Sequence, residues 1–90
     1  MAIVWDEAKR LRTLAERGLD FADAGRVFGG THFDRVDDRH DYGELRIVTA
    51  GYLDGRFVAV TWTPRDGDQR IISMRHGHGQ EEERFRQYLG

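Results

Sequence analysis

Cysteine is absent from the 90-residue sequence, so neither a disulfide framework nor a thiolate metal site can be built. Proline occurs once, and lysine once among fourteen cationic residues, the other thirteen being arginine. No apolar run reaches signal-peptide or membrane-spanning length, and charge arrives by Asp6, so the expectation is a soluble cytoplasmic protein. The net charge of −2 argues against a protein that binds nucleic acid through an overall basic surface. Gly25, Gly29 and Gly30 form neither a dinucleotide fingerprint nor a P-loop, and no Ser-His-Asp arrangement can be argued. No internal repeat, linker or low-complexity segment divides the chain. Its length suits one domain, burying roughly 60–70% of the surface exposed by the unfolded chain.

What is present centres on residues 44–75. Stretches 45–53 and 56–63 are rich in Val, Ile, Thr, Tyr, Phe and Trp, and Asp54-Gly55 between them is the strongest short signal for a two-residue hairpin. With Leu53 opposite Arg56, period-two alternation puts Leu45, Ile47, Leu53, Val58, Val60 and Trp62 on a core face. Arg46, Val48, Ala50, Tyr52, Phe57, Ala59, Thr61 and Thr63 form the other face, which could meet a ligand. A third strand is expected at 70–75, after a turn in which Pro64 and Gly67 argue against strand. Regular alternation there puts Ile72 and Met74 on the core, Ser73 and Arg75 beside Arg46, and Arg70 coreward. Arg70 and Arg75 then lie on opposite faces, unless a bulge or a bent strand end intervenes.

Upstream, Ile3-Val4-Trp5 precedes the N-cap residue Asp6, and Ala8, Leu11, Leu14 and Ala15 recur at helical spacing until Gly18, giving a helix over 7–17 with Trp5 anchoring its start. Asp20 caps a second helix, with Phe21, Ala24, Val27 and Phe28 as its apolar stripe and Gly29-Gly30 as its end. Residues 31–36 fit an edge strand and 37–43 a polar connection. After the glycine-rich HGHGQ, residues 81–89 read as a terminal helix, with acids first and arginines later as the dipole favours, and Phe85 with Tyr88 or Leu89 facing inward. The fold class is α+β: two N-terminal helices, an antiparallel sheet of three to four strands and a C-terminal helix, the helices packed on one side.

His76 and His78, with His32 and His40, raise a metal site, but no ligand-spacing motif accompanies them, and the reading is of no metal and no cofactor. Asp37-Asp38 fit a solvated loop and Glu81–Glu83 a helix start. Arg46, Arg70 and Arg75 remain, with Ser73 and Tyr88 as hydroxyl partners. From pattern alone, surface ion pairs to Glu44, Asp68 or Glu81–Glu83 are the favoured explanation, ahead of phosphate binding.

Taken in order, VWDEAK, the stretch GLDFADAGRVF, Tyr42-Gly43-Glu44-x-Arg46 and Arg70-Ile71-Ile72-Ser73-x-Arg75, followed by a Glu cluster and Tyr88, resemble the BrnT toxins of bacterial type II toxin–antitoxin systems nearly end to end. The resemblance implies a RelE-like fold and a metal-independent endoribonuclease that inhibits translation. The implied partners are RNA and a BrnA-like antitoxin, with operator DNA reached only through that antitoxin in a heterotetramer. Carried onto this chain, it implies catalytic roles for Arg46, Arg70, Arg75 and Tyr88. Arg17, Ser73 and His76 become RNA contacts, and Tyr52 and Phe57 antitoxin contacts. One departure stands out: Glu16 and Arg17 occupy positions where most relatives carry Lys-His. Arg17 is a poor proton-transfer group, so His76 or His40 becomes an alternative. A toxin homologue acting as an antitoxin-binding module and transcriptional co-repressor is the alternative function.

Overall fold

The computed structural model describes residues 2–39 and 41–89, the last by its backbone alone, so His40 and the Leu89 side chain lie outside the described residues. In chain order the elements are β1 (Ile3–Trp5), α1 (Glu7–Arg17), a 3-10 turn (Phe21–Asp23) running into α2 (Ala24–Gly29), β2 (His32–Val36), β3 (Ile47–Leu53), β4 (Arg56–Arg65), β5 (Asp68–His76) and α3 (Gly79–Leu89). The strands form one sheet in the order β1-β5-β4-β3-β2. The class is α+β as expected, but the sheet is mixed and five-stranded, not antiparallel with three to four strands. β1 pairs in parallel with β5, Trp5 opposite Ile71. A tripeptide is too short to reveal alternation, so this strand reads in the sequence only as a helix approach.

Local chemistry sets the boundaries. The Asp6 carboxylate accepts from the Ala8 and Lys9 N–H groups at 2.9 and 3.2 Å, and Gly18, at φ 68°, closes α1. Asp54 and Gly55 (φ 51° and 78°) make the first hairpin turn, and the predicted pairing of Leu53 with Arg56 through Ile47 with Trp62 is observed. Asp66 and Gly67 (φ 53° and 81°) make a second two-residue turn, so β4 runs on through Pro64. Arg65 and Asp68 flank that turn as the hydrogen-bonded pair. The proline nitrogen one position earlier therefore faces away from β5, towards the side where β3 has already ended and no donor is needed. Leu45 falls outside β3 and is exposed, contrary to its expected core position.

A register shift between Thr61 and Trp62 changes the reading of β5: Thr61 pairs with Ser73 but Trp62 with Ile71, leaving Ile72 as the extra, bulged residue. Ile71 and Met74, each at most 1% exposed, are therefore the core residues, while Ile72 is half-buried. Arg70, opposite Thr63, turns to the same side as Ser73 and Arg75 instead of coreward.

Leu19, Phe21, Ala24 and Val27 pack on Leu53, Val58, Val60, Trp62, Ile71 and Met74, with Ile3, Trp5, Phe28 and Ile47 at the margin. Trp62 Nε1 donates to Thr49 Oγ1 at 2.8 Å, satisfying the polar groups inside this core. α3 lies across the opposite face, so the helices are not all on one side. Its Phe85 ring stands 5.3 Å from Phe57 and 5.7 Å from Tyr52. Val48, Phe57, Ala59 and Thr63 on that face are buried, so the open surface expected there is largely covered.

Two features of the α3 attachment each generate a prediction. A Cβ built on Gly77 would stand 2.2 Å from Phe57 Cδ2, so the ring can lie under α3 only because residue 77 lacks one. Gly77→Ala should cost about 1–3 kcal/mol by displacing a buried ring, read as a lower urea midpoint with the slope kept. The second is the Arg75–Glu81 ion pair, in which the guanidinium holds the Glu81 carboxyl down at about 2 from its ordinary 4.5. A depressed carboxylate stabilises fully above its unfolded value and loses that contribution as pH falls through its folded one. Unfolding midpoints should therefore decline between about pH 4.5 and 2. Glu81→Gln should flatten that decline, while Asp37, held at about 2 by Arg39, supplies what remains.

Candidate functional site

The register sorts the side chains of the α3 face into rows across the sheet. One row is Phe33, Ala50, Ala59 and Arg75; the next is Arg35, Val48, Thr61 and Ser73; a third carries Thr63 and Arg70, with Arg46 one residue beyond the last paired position of β3. The bulge at Ile72 thus brings Arg70, Ser73 and Arg75 onto one face, which a regular strand would not allow. With strands about 4.8 Å apart, Phe33 and Arg75 stand roughly 14 Å from each other across the row.

The cations of this face differ in how they are held. Arg75 makes a bidentate pair with Glu81, at 2.6 Å from Nη1 and 2.8 Å from Nη2. That pair raises the guanidinium's affinity for its proton, while the Arg39 charge nearby acts the other way. Arg39 itself forms a fork with the buried Asp37 carboxylate at 2.9 and 3.1 Å. Arg46 stacks on Tyr42, its Cζ 3.8 Å from the ring centre, and reaches Glu44 at 3.4 Å, so it belongs to the loop before β3 more than to the sheet surface. Among the described residues, the Arg70 side chain has neither an ion pair nor a hydrogen bond.

His78, which the sequence raised only as a metal ligand, stands beside Glu81. Its Nε2 lies 3.4 Å from Glu81 Oε1, and its backbone N–H donates to the same oxygen at 3.3 Å. An imidazole, a carboxylate and a guanidinium thus meet at the start of α3. The spacing of His78 and Glu81, three residues apart at a helix start, is the available signal, which the helix dipole alone also explains.

Arg17 and His76 go elsewhere. His76 Nε2 donates to the Arg17 carbonyl at 3.0 Å, and Arg17 Nη1 donates to the Met74 carbonyl at 2.8 Å, stitching the end of α1 to the edge of β5. His76 pairs opposite Val58 on the core side, so His76 and His78 do not converge as a metal pair would. Among the described residues, no group of three or more His, Asp or Glu could hold a metal ion. Ser73 also borders a shallow groove of about 250 Å³ with Lys9, Arg12 and Arg17.

Phe57, 7% exposed, is inside the fold and not the open partner contact the sequence suggested. Tyr52 keeps an exposed edge while its hydroxyl hydrogen-bonds Glu82. Tyr88 is 70% exposed and leans on Phe33, the ring centres 4.1 Å apart. A groove of about 440 Å³ opens between α3 and the sheet, bordered by Phe33, Arg35, Ala50, Arg84 and Tyr88, and by Glu81 at its Arg75 end.

Comparison with known proteins gives the family to which this fold belongs. Residues 5–81 match the family described as the ribonuclease toxin BrnT of type II toxin–antitoxin systems, a span that stops short of Arg84, Phe85 and Tyr88. The crystal structure of the Brucella abortus ribonuclease toxin BrnT superposes with a TM-score of 0.66 at 32% identity, covering 87% of this chain and 97% of that one. No match is found among curated proteins. With most of its length inside the family's span and its sheet and helices shared with a family structure, the chain belongs to the BrnT family of ribonuclease toxins of type II toxin–antitoxin systems.

Proposed function

We propose that this single domain is a metal-independent endoribonuclease that cuts RNA on the α3 face of the sheet. In the cytoplasm it inhibits translation until a BrnA-like antitoxin neutralises it. The observation that carries the reading is the bulge at Ile72, which gathers Arg70, Ser73 and Arg75 on one face with Glu81 and His78 at its rim. In the reaction, the ribose 2′-hydroxyl attacks the adjacent phosphorus, the P–O5′ bond breaks, and the products are a 2′,3′-cyclic phosphate and a 5′-hydroxyl. A base takes the 2′ proton and an acid returns one to the 5′ oxygen. Arg75 and Arg70 supply charge to the non-bridging oxygens, because a planar fork matches the phosphoryl geometry. His78, oriented by Glu81, is the proton-transfer group, since imidazole is the side-chain type that exchanges protons near neutrality. Arg46 and Tyr88 orient the flanking nucleotides. Tyr52 and the outer surface of α3 are where the antitoxin docks, the complex being a heterotetramer that reaches operator DNA through the antitoxin.

A second reading has one observation in its favour: Glu81 already occupies Arg75, and the Arg17 guanidinium is committed to the Met74 carbonyl. A chain with its cations so engaged could serve as an antitoxin-binding co-repressor. Growth arrest on expression of the chain without antitoxin excludes that reading; unimpeded growth with intact antitoxin binding supports it.

Arg75→Ala should retain the fold by circular dichroism and cut RNA at least tenfold more slowly. Arg75→Lys should recover only part of the rate, because an ammonium keeps the charge and loses the fork. Cleavage by Arg70→Ala and Arg75→Ala at the unmutated rate, with chelator present throughout, would overturn the placement of the active face. The two histidines should separate cleanly. His78→Ala should remove a limb of the pH–rate profile, whereas His76→Ala should lower the melting temperature and leave the shape of the profile unchanged. The opposite pattern would move proton transfer to the α1–β5 seam.

A further inference from the structure

The groove of about 440 Å³ beneath α3 is not used by the arginine chemistry, yet its walls have a definite composition. Phe33 from β2 and Tyr88 from α3 form an aromatic wall, their centres 4.1 Å apart at 50°. Phe85 continues it inward, and Ala50 leaves the sheet floor low where a larger residue would fill the space. Two cations flank it. Neither Arg35 nor Arg84 has an ion pair or a side-chain hydrogen bond among the described residues. The one acid that lines the groove, Glu81, is neutralised by Arg75.

Resting on the ribonuclease reading, we infer that this groove is a nucleobase subsite. It takes one unstacked base of single-stranded RNA against Phe33 and Tyr88, with Arg35 and Arg84 on the phosphates either side of it. The chemistry selects this occupant. An aromatic wall of modest size offers a π face to a planar base, and unpaired guanidinium groups at the rim complement a polyanion. The row order adds direction: the base lies at the Phe33 end and the reacting phosphate at the Arg75 end of one crossing of the sheet, roughly 14 Å in all. The nucleotide held here is therefore a neighbour of the cleaved bond, and the groove sets which bases are tolerated next to it.

The test uses the full chain and a labelled 2′-O-methyl oligoribonucleotide, which the protein can bind and cannot cut, in a set where one base at a time is replaced by an abasic sugar. The unmutated chain should lose roughly tenfold in affinity at one abasic position, as stacking on aromatic side chains predicts. Phe33→Ala with Tyr88→Ala, and separately Ala50→Val, should bind intact RNA more weakly and lose the abasic penalty, with melting temperatures showing that they fold. Ala50→Val matters because it fills the groove while removing no aromatic or charge. Arg35→Ala and Arg84→Ala should each lower the salt dependence of binding by about one ion while keeping the penalty.

A flat abasic scan on a chain that binds RNA overturns the subsite and leaves the ribonuclease reading standing. So does a full penalty in both groove variants. Variants that keep the penalty and fail to bind antitoxin assign the groove to the protein partner, which overturns it as well. No binding of any RNA by the unmutated chain overturns the ribonuclease reading, and the subsite with it.

Discussion

The extra residue in β5 is the constraint on which the rest of the molecule depends. A strand without it can bury Met74 and Ile72 or expose Arg70, but alternation forbids Arg70 and Arg75 from sharing a side. Ile72 absorbs the mismatch. Below it Ile71 faces Trp5 and Trp62; above it Met74 faces the same core; and Arg70, Ser73 and Arg75 turn together to the α3 face. The core accepts the bulge because the residue left unpaired against β4 is aliphatic and half-buried. The edge it disturbs is supported by Arg17, whose guanidinium takes the Met74 carbonyl. One insertion therefore links a packing requirement to a chemical one, and stability and site geometry cannot vary independently along β5.

α3 is the second coupled element. It covers an apolar strip through Phe85, its first turn carries Glu81 to Arg75, and its last brings Tyr88 to Phe33. The ion pair joins two groups that a phosphate would separate, since a fork engaged with a carboxylate is already in the geometry a phosphoryl group needs. Exchange of one anion for the other keeps the guanidinium's orientation and changes its partner. In the proposed reaction the Glu81 carboxylate released by that exchange would stay within reach of the His78 ring. The same oxygen, Oε1, meets Arg75, the His78 ring and the His78 backbone.

Much of this was legible from residues with strong local signatures. Asp6, Gly18 and Asp54-Gly55 act through caps and positive φ, which depend on one or two neighbours, and the first helix and the central hairpin register follow from them. β1 was not legible, since three apolar residues gain their meaning from β5 sixty-six positions away, as Ile3 opposite Gln69 shows. The bulge was visible only as one possibility and not as a location, because nothing in RIIS distinguishes the residue that will be left unpaired. The covered state of the second face was missed for a related reason. Alternation reports which residues share a side, and whether that side meets water depends on where α3 lands, which Gly77 decides by admitting the Phe57 ring.

The net charge of −2 at first counts against RNA binding, and the distribution of ion pairs removes the objection. Much of the acid in this chain is spent on structure. Glu7 and Asp20 hold Arg10, Asp54 holds Arg26, Asp37 holds Arg39, and Glu82 holds Arg86. A paired carboxylate beside its guanidinium contributes little field beyond a Debye length of about 8 Å at physiological salt. What an approaching polyanion meets is the uncompensated remainder, and on the α3 face that remainder includes Arg35, Arg70 and Arg84. They sit on β2, β5 and α3, three separate elements that share this face, with β2 and β5 on either side of the strip that α3 covers. A local positive field can therefore exist on a chain whose sum is negative. Its strength is governed by which arginines lack a partner, not by how many arginines there are.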